Sequence, residues 1–253
     1  MTVTVPLLEV QNVSKIYDGY SHDKALDNVR FQVRDGEFVG IMGPSGSGKT
    51  TLLNAIATID PPSSGEIRIS GHNAYQMTAE EMALFRRRRL GFVFQDFNLL
   101  ESLTVEENIL LPLTFDNVPQ DEMHTRLNHV LSRLGIESIR NRMIHEISGG
   151  QKQKTAIGRA IIHEPAVVLA DEPTGNLDSK SGRDVMNLLK LLHEQEQATL
   201  LMVTHDAYAA SYCERVIFIK DGKLYNEIYR GDNRQAFFQK IMDMLALLGG
   251  DRP

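Results

Sequence analysis

Residues 38–56 read FVGIMGPSGSGKTTLLNAI, and this stretch decides the fold. The apolar run FVGIM, residues 38–42, predicts a short buried strand. Residues 43–50, GPSGSGKT, match the pattern G-x-x-x-x-G-K-[ST] at every fixed position and lead into an apolar helical sequence. A strand, a glycine-rich loop and a helix in this order form the arrangement in which such a loop binds phosphate groups.

The loop carries the groups that bind a nucleoside triphosphate. Its glycines let backbone N–H groups turn towards phosphate oxygens, and the start of the following helix adds positive potential. Lys49 is predicted to reach the β- and γ-phosphates, and the hydroxyl of Thr50 to ligate Mg²⁺. The alternative, a loop that only permits a tight turn, leaves the Lys-Thr pair unexplained. The candidate phosphate-binding residues are Gly43, Pro44, Ser45, Gly46, Ser47, Gly48, Lys49, Thr50 and Thr51.

The segment VVLADE, residues 167–172, supplies two acids next to an apolar run. The run predicts a buried strand that delivers Asp171 and Glu172 to its carboxyl end, where ligands of open α/β sheets bind. We expect Asp171 to hold Mg²⁺ through water, and Glu172 to orient and polarise the water that attacks the terminal phosphate. Two solvated acids at a strand end are the alternative, which the nearby phosphate loop makes the weaker explanation.

Three further residues gain a role only beside such a site. Gln95 follows the short strand FVF and is a candidate for contact with Mg²⁺ or with the attacking water. His205 follows the predicted strand LLMVT and is a candidate partner of the γ-phosphate, although a lone histidine is more often structural or at the surface. Tyr17 ends the first predicted strand and is a candidate to stack on adenine, and a core tyrosine is equally consistent with its sequence.

The composition excludes several classes of function. The chain has 253 residues, of which 42% are hydrophobic and 24% charged, as in ordinary globular proteins. A net charge of -6 gives no overall basic footprint, so we expect no nucleic-acid partner. Cys213 is the only cysteine, which excludes an intrachain disulfide and a cysteine zinc cluster. The first ten residues carry no secretion-signal pattern, and no apolar run reaches the roughly 20 residues of a membrane helix, so we expect another chain to do any membrane spanning.

Predicted strands alternate with helices along most of the chain, which indicates an α/β fold with a mostly parallel sheet. A KDGK turn at Asp221 predicts a hairpin and therefore an antiparallel edge. We expect the core to comprise residues 1–95 and 160–229, with a helical subdomain over residues 96–159. Residues 230–253 are predicted to form a C-terminal helical extension.

The segment ISGGQ, residues 147–151, is a helix entry with an unusual start. Ser148 and Gln151 fit a capping box. Gly149 and Gly150 occupy the first turn, although a glycine inside a helix costs about 1 kcal/mol relative to alanine. An ordinary cap needs neither glycine, whereas a capped helix start without Cβ atoms lets the backbone approach an anion closely.

With these residues assembled, the sequence resembles the ATP-binding subunit of ABC transporters over residues 7–228. The resemblance rests on the loop 43–50, Gln95, ISGGQ, the acidic strand 167–172, GNLD at 175–178 and His205, in the family's order. It implies a P-loop NTPase fold with a helical subdomain, and the cofactors ATP and Mg²⁺. Because Glu172 is present as glutamate, it also implies an active ATPase.

The resemblance implies further that two copies of the chain assemble head to tail. In this family the ISGGQ signature of one subunit completes the nucleotide site of the other. The residues expected to contact the partner's nucleotide are Ser148, Gly149, Gly150, Gln151 and Asp178. The sequence departs from the family's usual pattern at Ile147, where leucine is more common, and at Lys154, where arginine is usual. Lysine lacks arginine's planar fork, so no fine contact of arginine transfers to Lys154.

Longer stretches resemble one branch of the family. The sequences LADEPTGNLD and GFVFQDFNLLESLTVEENI resemble lipoprotein-releasing and macrolide-exporting systems. Within that branch, ISGGQKQK, ASYCERVIFIKDGKLY and AFFQKIMDMLALLGG resemble the Bce-type bacitracin-resistance ATPases most. This resemblance implies a separate integral membrane permease, a sensor histidine kinase reached through it, and a peripheral position on the cytoplasmic face of a bacterial membrane. It also implies resistance to peptides that target the cell wall.

Other functions stay open on the sequence alone. The same machinery serves a nucleotide-gated signalling module that moves no substrate, or lipoprotein or macrolide export. A stand-alone ATPase of translation or DNA repair is disfavoured, because the translation relatives usually carry two such domains and the repair relatives carry coiled-coil or zinc insertions. A phosphate-loop kinase leaves ISGGQ and His205 without a purpose.

Three remaining features have simple expectations. The run FRRRR, residues 85–89, is expected to be a solvated helix face, with a membrane, nucleic-acid or permease contact as alternatives. Cys213 is expected to be a small buried residue without chemistry. The apolar side chains of the tail are expected to pack on the protein's own body, with a dimer or permease contact as the alternative. They are Phe237, Phe238, Ile241, Met242, Leu245 and Leu248.

Overall fold

The computed structural model describes residues 6–17 and 23–249, so the ends of the predicted ranges 1–95 and 230–253 lie outside the described residues. The strands within it are β1 (Leu8–Tyr17), β2 (Asp23–Val33), β3 (Phe38–Met42), β4 (Ser64–Ile69), β5 (His72–Asn73), β6 (Leu90–Val93), β7 (Val167–Asp171), β8 (Leu200–Val203), β9 (Arg215–Lys220) and β10 (Lys223–Tyr229). The helices are α1 (Lys49–Ile56), α2 (Ala79–Arg89), α3 (Val105–Phe115), α4 (Gln120–Leu134), α5 (Gly149–Ile161), α6 (Ser179–Glu196), α7 (Ala207–Ala210) and α8 (Arg234–Gly249). Short 3₁₀ turns lie at Ala74–Gln76, Glu137–Ile139 and Ile144–Glu146.

The main sheet has six strands in the order β10-β9-β3-β8-β7-β6. Strands β9, β3, β8, β7 and β6 run parallel to one another, and β10 pairs antiparallel with β9. Lys220 lies opposite Lys223 across the two-residue turn at Asp221. The predicted mostly parallel α/β sheet with an antiparallel edge is therefore confirmed.

A second sheet lies beside the main one. It has four strands in the order β2-β1-β4-β5, and all of its pairings are antiparallel. The N–H of Asp27 in β2 donates to the carbonyl oxygen of Gly222 at 2.8 Å, which joins this sheet to the β9–β10 turn. The sequence predicted strands here but did not separate them into a sheet of their own.

Strand β3 is buried along its whole length because both faces of the main sheet are covered. Alternate side chains of a strand point to opposite faces. Phe38 and Met42 accordingly join one apolar cluster, and Val39 and Ile41 join another. The first cluster includes helices α3 to α8, and the second includes α1 and the antiparallel sheet. This two-sided burial explains the unbroken apolar run that precedes the loop.

Helices α3, α4 and α5 pack against one another in the region predicted to be the helical subdomain. Helix α4 buries Leu127, Val130, Leu131 and Leu134, whose spacing of three and four residues places them on one face of the helix. The ammonium of Lys154 in α5 donates to the carbonyl oxygen of Leu134 at 2.9 Å. Because the last carbonyl groups of a helix lack intrahelical partners, this lysine completes the end of α4.

The arginine run at the end of α2 is partly solvated, as expected: residues 88 and 89 are exposed, and residues 86 and 87 are half-buried. Each guanidinium of residues 86–89 has a hydrogen-bond partner elsewhere in the described chain. The partners are the carbonyl oxygens of Thr58 and Phe115, the carboxylate of Asp116 and the hydroxyl of Ser70. The run therefore ties α2 to the end of α3 and to the segments that follow α1, α3 and β4.

Helix α8 packs on the body of the protein, as expected for the tail, with the exception of Met242. This side chain is 43% exposed, because it directly follows the buried Ile241 and lies off the packed face of the helix. The side chains of Phe237, Ile241 and Leu248 in α8 are buried in the first apolar cluster. Cys213 is also completely buried, and burial raises the pKa of its thiol, which agrees with the expectation of no chemistry. In the part of the chain that the structure describes, no helix combines the length and apolarity needed to cross a membrane.

Gly91 in β6 lies directly against α5, and this contact supports a prediction about stability. A Cβ atom at Gly91 would come within 2.3 Å of the carbonyl oxygen of Ala160. Because a backbone atom cannot rotate away as a side chain does, Gly91→Ala is expected to lower the free energy of unfolding by about 1–3 kcal/mol. Thermal unfolding followed by circular dichroism should give a Tm lower by roughly 2–4 °C per kcal/mol.

The matched control is Gly182→Ala in α6. A Cβ there would approach no atom of the described chain closer than 3.6 Å, and alanine has the higher helix propensity. Its Tm should equal or exceed that of the parent. If Gly91→Ala has the same Tm as the parent, β6 and α5 move apart at little cost in free energy.

Candidate functional site

The loops that follow β3, β6, β7 and β8 meet at the carboxyl edge of the main sheet. The register places Ile41 opposite Val203, and Val203 opposite Asp171. Val93 lies opposite Ala170, one residue earlier on β7. The loops that carry the predicted site residues therefore leave the sheet at the same level. They do so at the edge where ligands of parallel sheets bind.

The glycine-rich loop presents open donors at the start of α1. Helix α1 begins at Lys49, and Gly48 is its N-cap with a φ of 98°. No side chain caps this helix, so the N–H groups of its first turn are available to an anion. The buried hydroxyl of Ser47 also has no hydrogen-bond partner among the described residues. A phosphate group would satisfy both kinds of donor.

Lys49 lies inside the loop. Its ammonium donates to the carbonyl oxygens of Gly43 at 3.0 Å and Pro44 at 2.8 Å. Burial lowers its pKa, while the carboxylates of Glu172 and Asp171 act in the opposite direction. The structure therefore brings the lysine of the loop and the two acids of β7 within electrostatic reach of one another.

The two acids at the end of β7 have different surroundings. Burial raises the pKa of Asp171, the charge of Glu172 raises it further, and Lys49 lowers it. A half-buried carboxylate of this kind is stabilised by a nearby cation. Glu172 has a φ of 46°, a left-handed conformation that is uncommon for a residue with a side chain. Its N–H donates to the carbonyl oxygen of Val203 at 2.9 Å, which fixes the turn after β7.

Glu172 and His205 form a pair that connects the ends of β7 and β8. The Nδ1 atom of His205 lies 2.8 Å from Oε1 of Glu172, and the backbone N–H of His205 donates to Oε2 at 3.3 Å. The side chain of Glu172 is 14% exposed, whereas that of His205 is 73% exposed. One residue thus holds both carboxylate oxygens of the predicted catalytic acid, a contact that the sequence did not predict.

Gln95 lies at the same edge, but its side chain is turned towards the loop after β7. Its amide Nε2 donates to Oδ1 of Asn176 at 3.4 Å. The amide of Asn176 in turn donates to the carbonyl oxygen of Gln95 at 3.2 Å and to the carboxylate of Asp96 at 2.7 Å. In the described chain no hydrogen bond joins Gln95 to Thr50 or to Asp171. Asn176 belongs to the segment GNLD, whose sequence does not indicate this contact.

The start of α5 is capped as predicted. The N–H of Ser148 donates to Oε1 of Gln151 at 2.9 Å, and the N–H of Gln151 donates to the Ser148 hydroxyl at 3.3 Å. Ser148 and Gly149 are exposed, and among the described residues no hydrogen bond joins them to the loop 43–50. Packing within the chain itself favours glycine at position 150, because a Cβ of Gly150 would lie 3.0 Å from the hydroxyl oxygen of Ser181.

Asp178 serves as the N-cap of α6. Its Oδ1 accepts from the N–H groups of Lys180 at 2.9 Å and Ser181 at 3.0 Å, and its Oδ2 accepts from the Ser181 hydroxyl at 2.6 Å. These bonds lower the pKa of Asp178. Capping alone accounts for an aspartate at this position, so its role towards a partner's nucleotide stays a prediction.

Tyr17 lies at the end of β1, with its side chain 45% exposed. Its hydroxyl donates to Oδ2 of Asp60 at 2.6 Å, and the ammonium of Lys15 lies 5.0 Å from the centre of its ring. Lys15 also pairs with Asp60. Tyr17 is therefore a fixed, partly exposed ring rather than a core residue, and Lys15 and Asp60 are supporting residues that no sequence pattern indicated.

Comparison with known proteins connects this geometry to a family. A protein-family model described as ABC transporter matches residues 26–175, which is more than half of the chain. The chain belongs to the ABC transporter family. The match begins in β2 and runs through the phosphate loop and the signature ISGGQ to Gly175, so it includes most of the residues described above.

Relatives of this ABC cassette span nearly its whole length. The ABC transporter ATP-binding protein YxdL of Bacillus subtilis is 54% identical over 245 residues, which cover 97% of this chain and 95% of YxdL. The bacitracin export ATP-binding protein BceA of Halalkalibacterium halodurans is 49% identical over 246 residues, which cover 96% of this chain and 97% of BceA. The resemblance predicted from the motifs is confirmed.

Solved structures of ABC cassettes have the same fold. The cassette MJ0796 of Methanocaldococcus jannaschii, in a dimeric post-hydrolysis state bound to ADP and phosphate, superposes with a TM-score of 0.81 at 41% identity. The alignment covers 89% of this chain and 100% of MJ0796. This chain is accordingly the ATP-binding subunit of an ABC transporter and an ATPase, as the sequence predicted.

Proposed function

We propose that this cassette hydrolyses ATP between two head-to-tail copies of itself and passes the resulting movement to a separate membrane permease. The observation that carries the proposal is the exposed, Ser148-capped start of α5, which among the described residues has no hydrogen bond to the chain's own loop 43–50. A helix start with free N–H groups binds an anion well. The dimeric state of MJ0796, which is bound to ADP and phosphate, supports a partner copy as the source of that anion.

Within each site, the phosphate loop and the acids of β7 have separate tasks. The N–H groups of α1, the Ser47 hydroxyl and Lys49 bind the phosphates. Glu172 orients and polarises the attacking water. His205 hydrogen-bonds to Glu172 and contacts the γ-phosphate. The adenine stacks on Tyr17, whose ring Asp60 and Lys15 hold in place.

The site also fits a magnesium ion. A hydroxyl, an amide and a half-buried carboxylate supply oxygen atoms of the kind that Mg²⁺ prefers, and they come from Thr50, Gln95 and Asp171. When bound, the ion neutralises charge on the phosphates. The raised pKa of Asp171 supports this assignment, because a nearby cation would offset the cost of keeping that carboxylate ionised.

The permease contact is assigned to an apolar groove of about 340 Å³ beside Gln95. Phe92 and Phe94 stack along it with ring centres 4.0 Å apart, and Phe115 at its rim is 64% exposed. Phe94 immediately precedes Gln95, so a helix seated in the groove would act on the residue that joins β6 to the loop after β7. We assign a cytoplasmic segment of the permease to this groove, which places the cassette on the cytoplasmic face of the membrane.

The substrate class proposed is an antimicrobial peptide of the bacitracin kind, on the strength of the similarity to BceA. Signalling through a permease and a sensor kinase without net transport, and export of lipoproteins or macrolides, are the competing outcomes. The deciding experiment purifies the tagged cassette with its permease from detergent and reconstitutes both in vesicles. Peptide-stimulated ATP turnover with peptide movement supports transport, and stimulation without movement supports signalling.

Phe115→Asp tests the groove. The variant should keep the basal ATPase activity of the isolated cassette, because the backbone carbonyl that bonds Arg87 is retained. Permease recovered in the detergent pull-down should fall by at least about tenfold, the scale expected when a charge replaces a buried aromatic anchor. Leu247→Asp on α8 is the control, since Leu247 is 63% exposed and lies outside the groove. Equal permease recovery with both variants would contradict the assignment.

A further inference from the structure

Helix α8 begins with an arginine that contacts two tyrosines. The guanidinium carbon of Arg234 lies 4.2 Å from the ring centre of Tyr212 and 5.3 Å from that of Tyr208. Both distances lie within the range of cation–π attraction. The two rings meet edge to face, with their centres 5.5 Å apart and their hydroxyl oxygens 3.0 Å apart. One cation from the C-terminal helix therefore holds a pair of aromatic rings.

Tyr208 is connected through the backbone to His205. Asp206 caps α7 by accepting the N–H of Tyr208 at 2.8 Å, and its own N–H donates to the hydroxyl of Thr204 at 3.0 Å. His205 lies between these two anchored residues. Because its side chain is 73% exposed, little packing holds the imidazole, and the turn determines where it lies.

The other side of the tyrosine pair is fixed to the body of the protein. Tyr212 is 2% exposed, and its hydroxyl donates to Oδ1 of Asn187 in α6 at 3.2 Å. Helix α8 is fixed as well, because Phe237 is completely buried and Asn233 caps the first turn.

The backbone of the turn is anchored by the buried alanines 207, 209 and 210 of α7, whereas the partly exposed ring of Tyr208 is held by Arg234 and Tyr212. Arg234 thus adds a contact from a fixed helix to the side chain that borders the His205 turn.

We propose that Arg234 is a positioning residue for ATP hydrolysis: through Tyr208 and Tyr212 it holds the turn that presents His205 to Glu172. The inference rests on the role given to His205 in the proposed function. It assigns to the C-terminal helix an influence on the rate of hydrolysis, although among the described residues no hydrogen bond joins α8 to the phosphate loop. When the stack is lost, the turn moves more freely and the bond of 2.8 Å between His205 and Glu172 forms less often.

Steady-state kinetics of Arg234→Leu and Arg234→Lys test the contact. Arg234→Leu should lower kcat by about 3- to 10-fold, the scale of a partly exposed cation–π contact, and leave the KM for ATP within about twofold. Arg234→Lys should keep at least half of the parent kcat, because an ammonium also stacks on aromatic rings. Lys240→Leu removes a cation from an exposed position of the same helix and should leave kcat unchanged. A parent kcat in Arg234→Leu, or a loss in Arg234→Lys equal to that in Arg234→Leu, overturns the proposal.

A double-mutant cycle with His205→Ala shows where Arg234 acts. If Arg234 acts through His205, Arg234→Leu causes no further loss of single-turnover hydrolysis in the His205→Ala background, and a full further loss overturns the proposal. Parent activity in His205→Ala contradicts the role of His205 itself, whereas an inactive His205→Ala with an unaffected Arg234→Leu contradicts only the inference. If Arg234→Leu unfolds at the assay temperature, Tyr208→Phe is measured in its place. This variant keeps the aromatic ring but loses the hydrogen bond to Tyr212, so its kcat should fall. A kcat equal to that of the parent overturns the proposal.

Discussion

Glu172→Gln is expected to lower the rate of ATP hydrolysis by about 10²- to 10⁴-fold, the range that a positioned acid–base residue contributes. The amide has the shape of the carboxylate and still accepts a hydrogen bond from His205, so the local fold should persist. It carries no negative charge, however, and cannot polarise the attacking water. ATP binding should be unchanged, because the phosphate loop and Lys49 are untouched. The variant should therefore accumulate as an ATP-bound dimer, measured by size-exclusion chromatography with light scattering.

The matched control is Glu164→Gln. Glu164 also has a left-handed backbone, with a φ of 54° against 46° for Glu172, but it precedes β7 and so lies at the opposite end of that strand. It should hydrolyse ATP at the parent rate and remain monomeric after turnover. Parent turnover in Glu172→Gln would show that another group activates the water.

Part of the candidate site could be predicted to lie together because its residues end a strand or closely follow one. The loop 43–50, Asp171 and His205 could be placed at one edge as soon as the strands were assumed to be parallel. The contacts among these residues were not predictable. The pair Glu172–His205 depends on the left-handed turn after β7 and on the register of β7 with β8, and neither leaves a mark in the local sequence.

Contacts between segments that are distant in the sequence also limited the prediction of the antiparallel sheet and of the arginine run. Strands β1, β2 and β4 have a clear strand composition, but composition does not show that they pair with one another rather than with the parallel core. The arginine run 86–89 has the sequence of a solvated face. Its partners, such as Asp116, lie in segments that approach it only after the chain folds.

Ser148→Arg is expected to leave nucleotide binding within about threefold of the parent and to abolish hydrolysis. Among the described residues Ser148 hydrogen-bonds only within its own helix turn and has no bond to the phosphate loop, so we expect an arginine there to leave nucleotide binding to that loop intact. In a head-to-tail dimer the same arginine would occupy the space between the capped helix and the partner's nucleotide. Binding of a fluorescent ATP analogue and release of phosphate measure the two effects separately.

Ser148→Arg also removes the N-cap of α5, and the resulting loss of stability would lower hydrolysis by itself. A control variant separates these two causes. An N-cap serine or threonine contributes about 1 kcal/mol to stability. Thr78 caps α2 with the same type of capping box as Ser148, through Glu81. Thr78→Arg should therefore lower the Tm as much as Ser148→Arg does, yet hydrolyse ATP at the parent rate. Equal loss of hydrolysis in both variants would trace the effect to stability and leave the signature without a role in the partner's site.

Mixing two inactive variants gives the sharpest test of sites shared between copies. Lys49→Ala removes the loop's cation but keeps an intact start of α5, and Ser148→Arg does the reverse. In a mixed dimer the loop of the Ser148→Arg copy faces the intact α5 of the Lys49→Ala copy, so one of the two sites is complete. Equal amounts give mixed dimers about half of the time, and recovery should therefore approach about a quarter of parent turnover. Hydrolysis confined within one chain predicts no recovery at any mixing ratio, because each copy then lacks a group it needs.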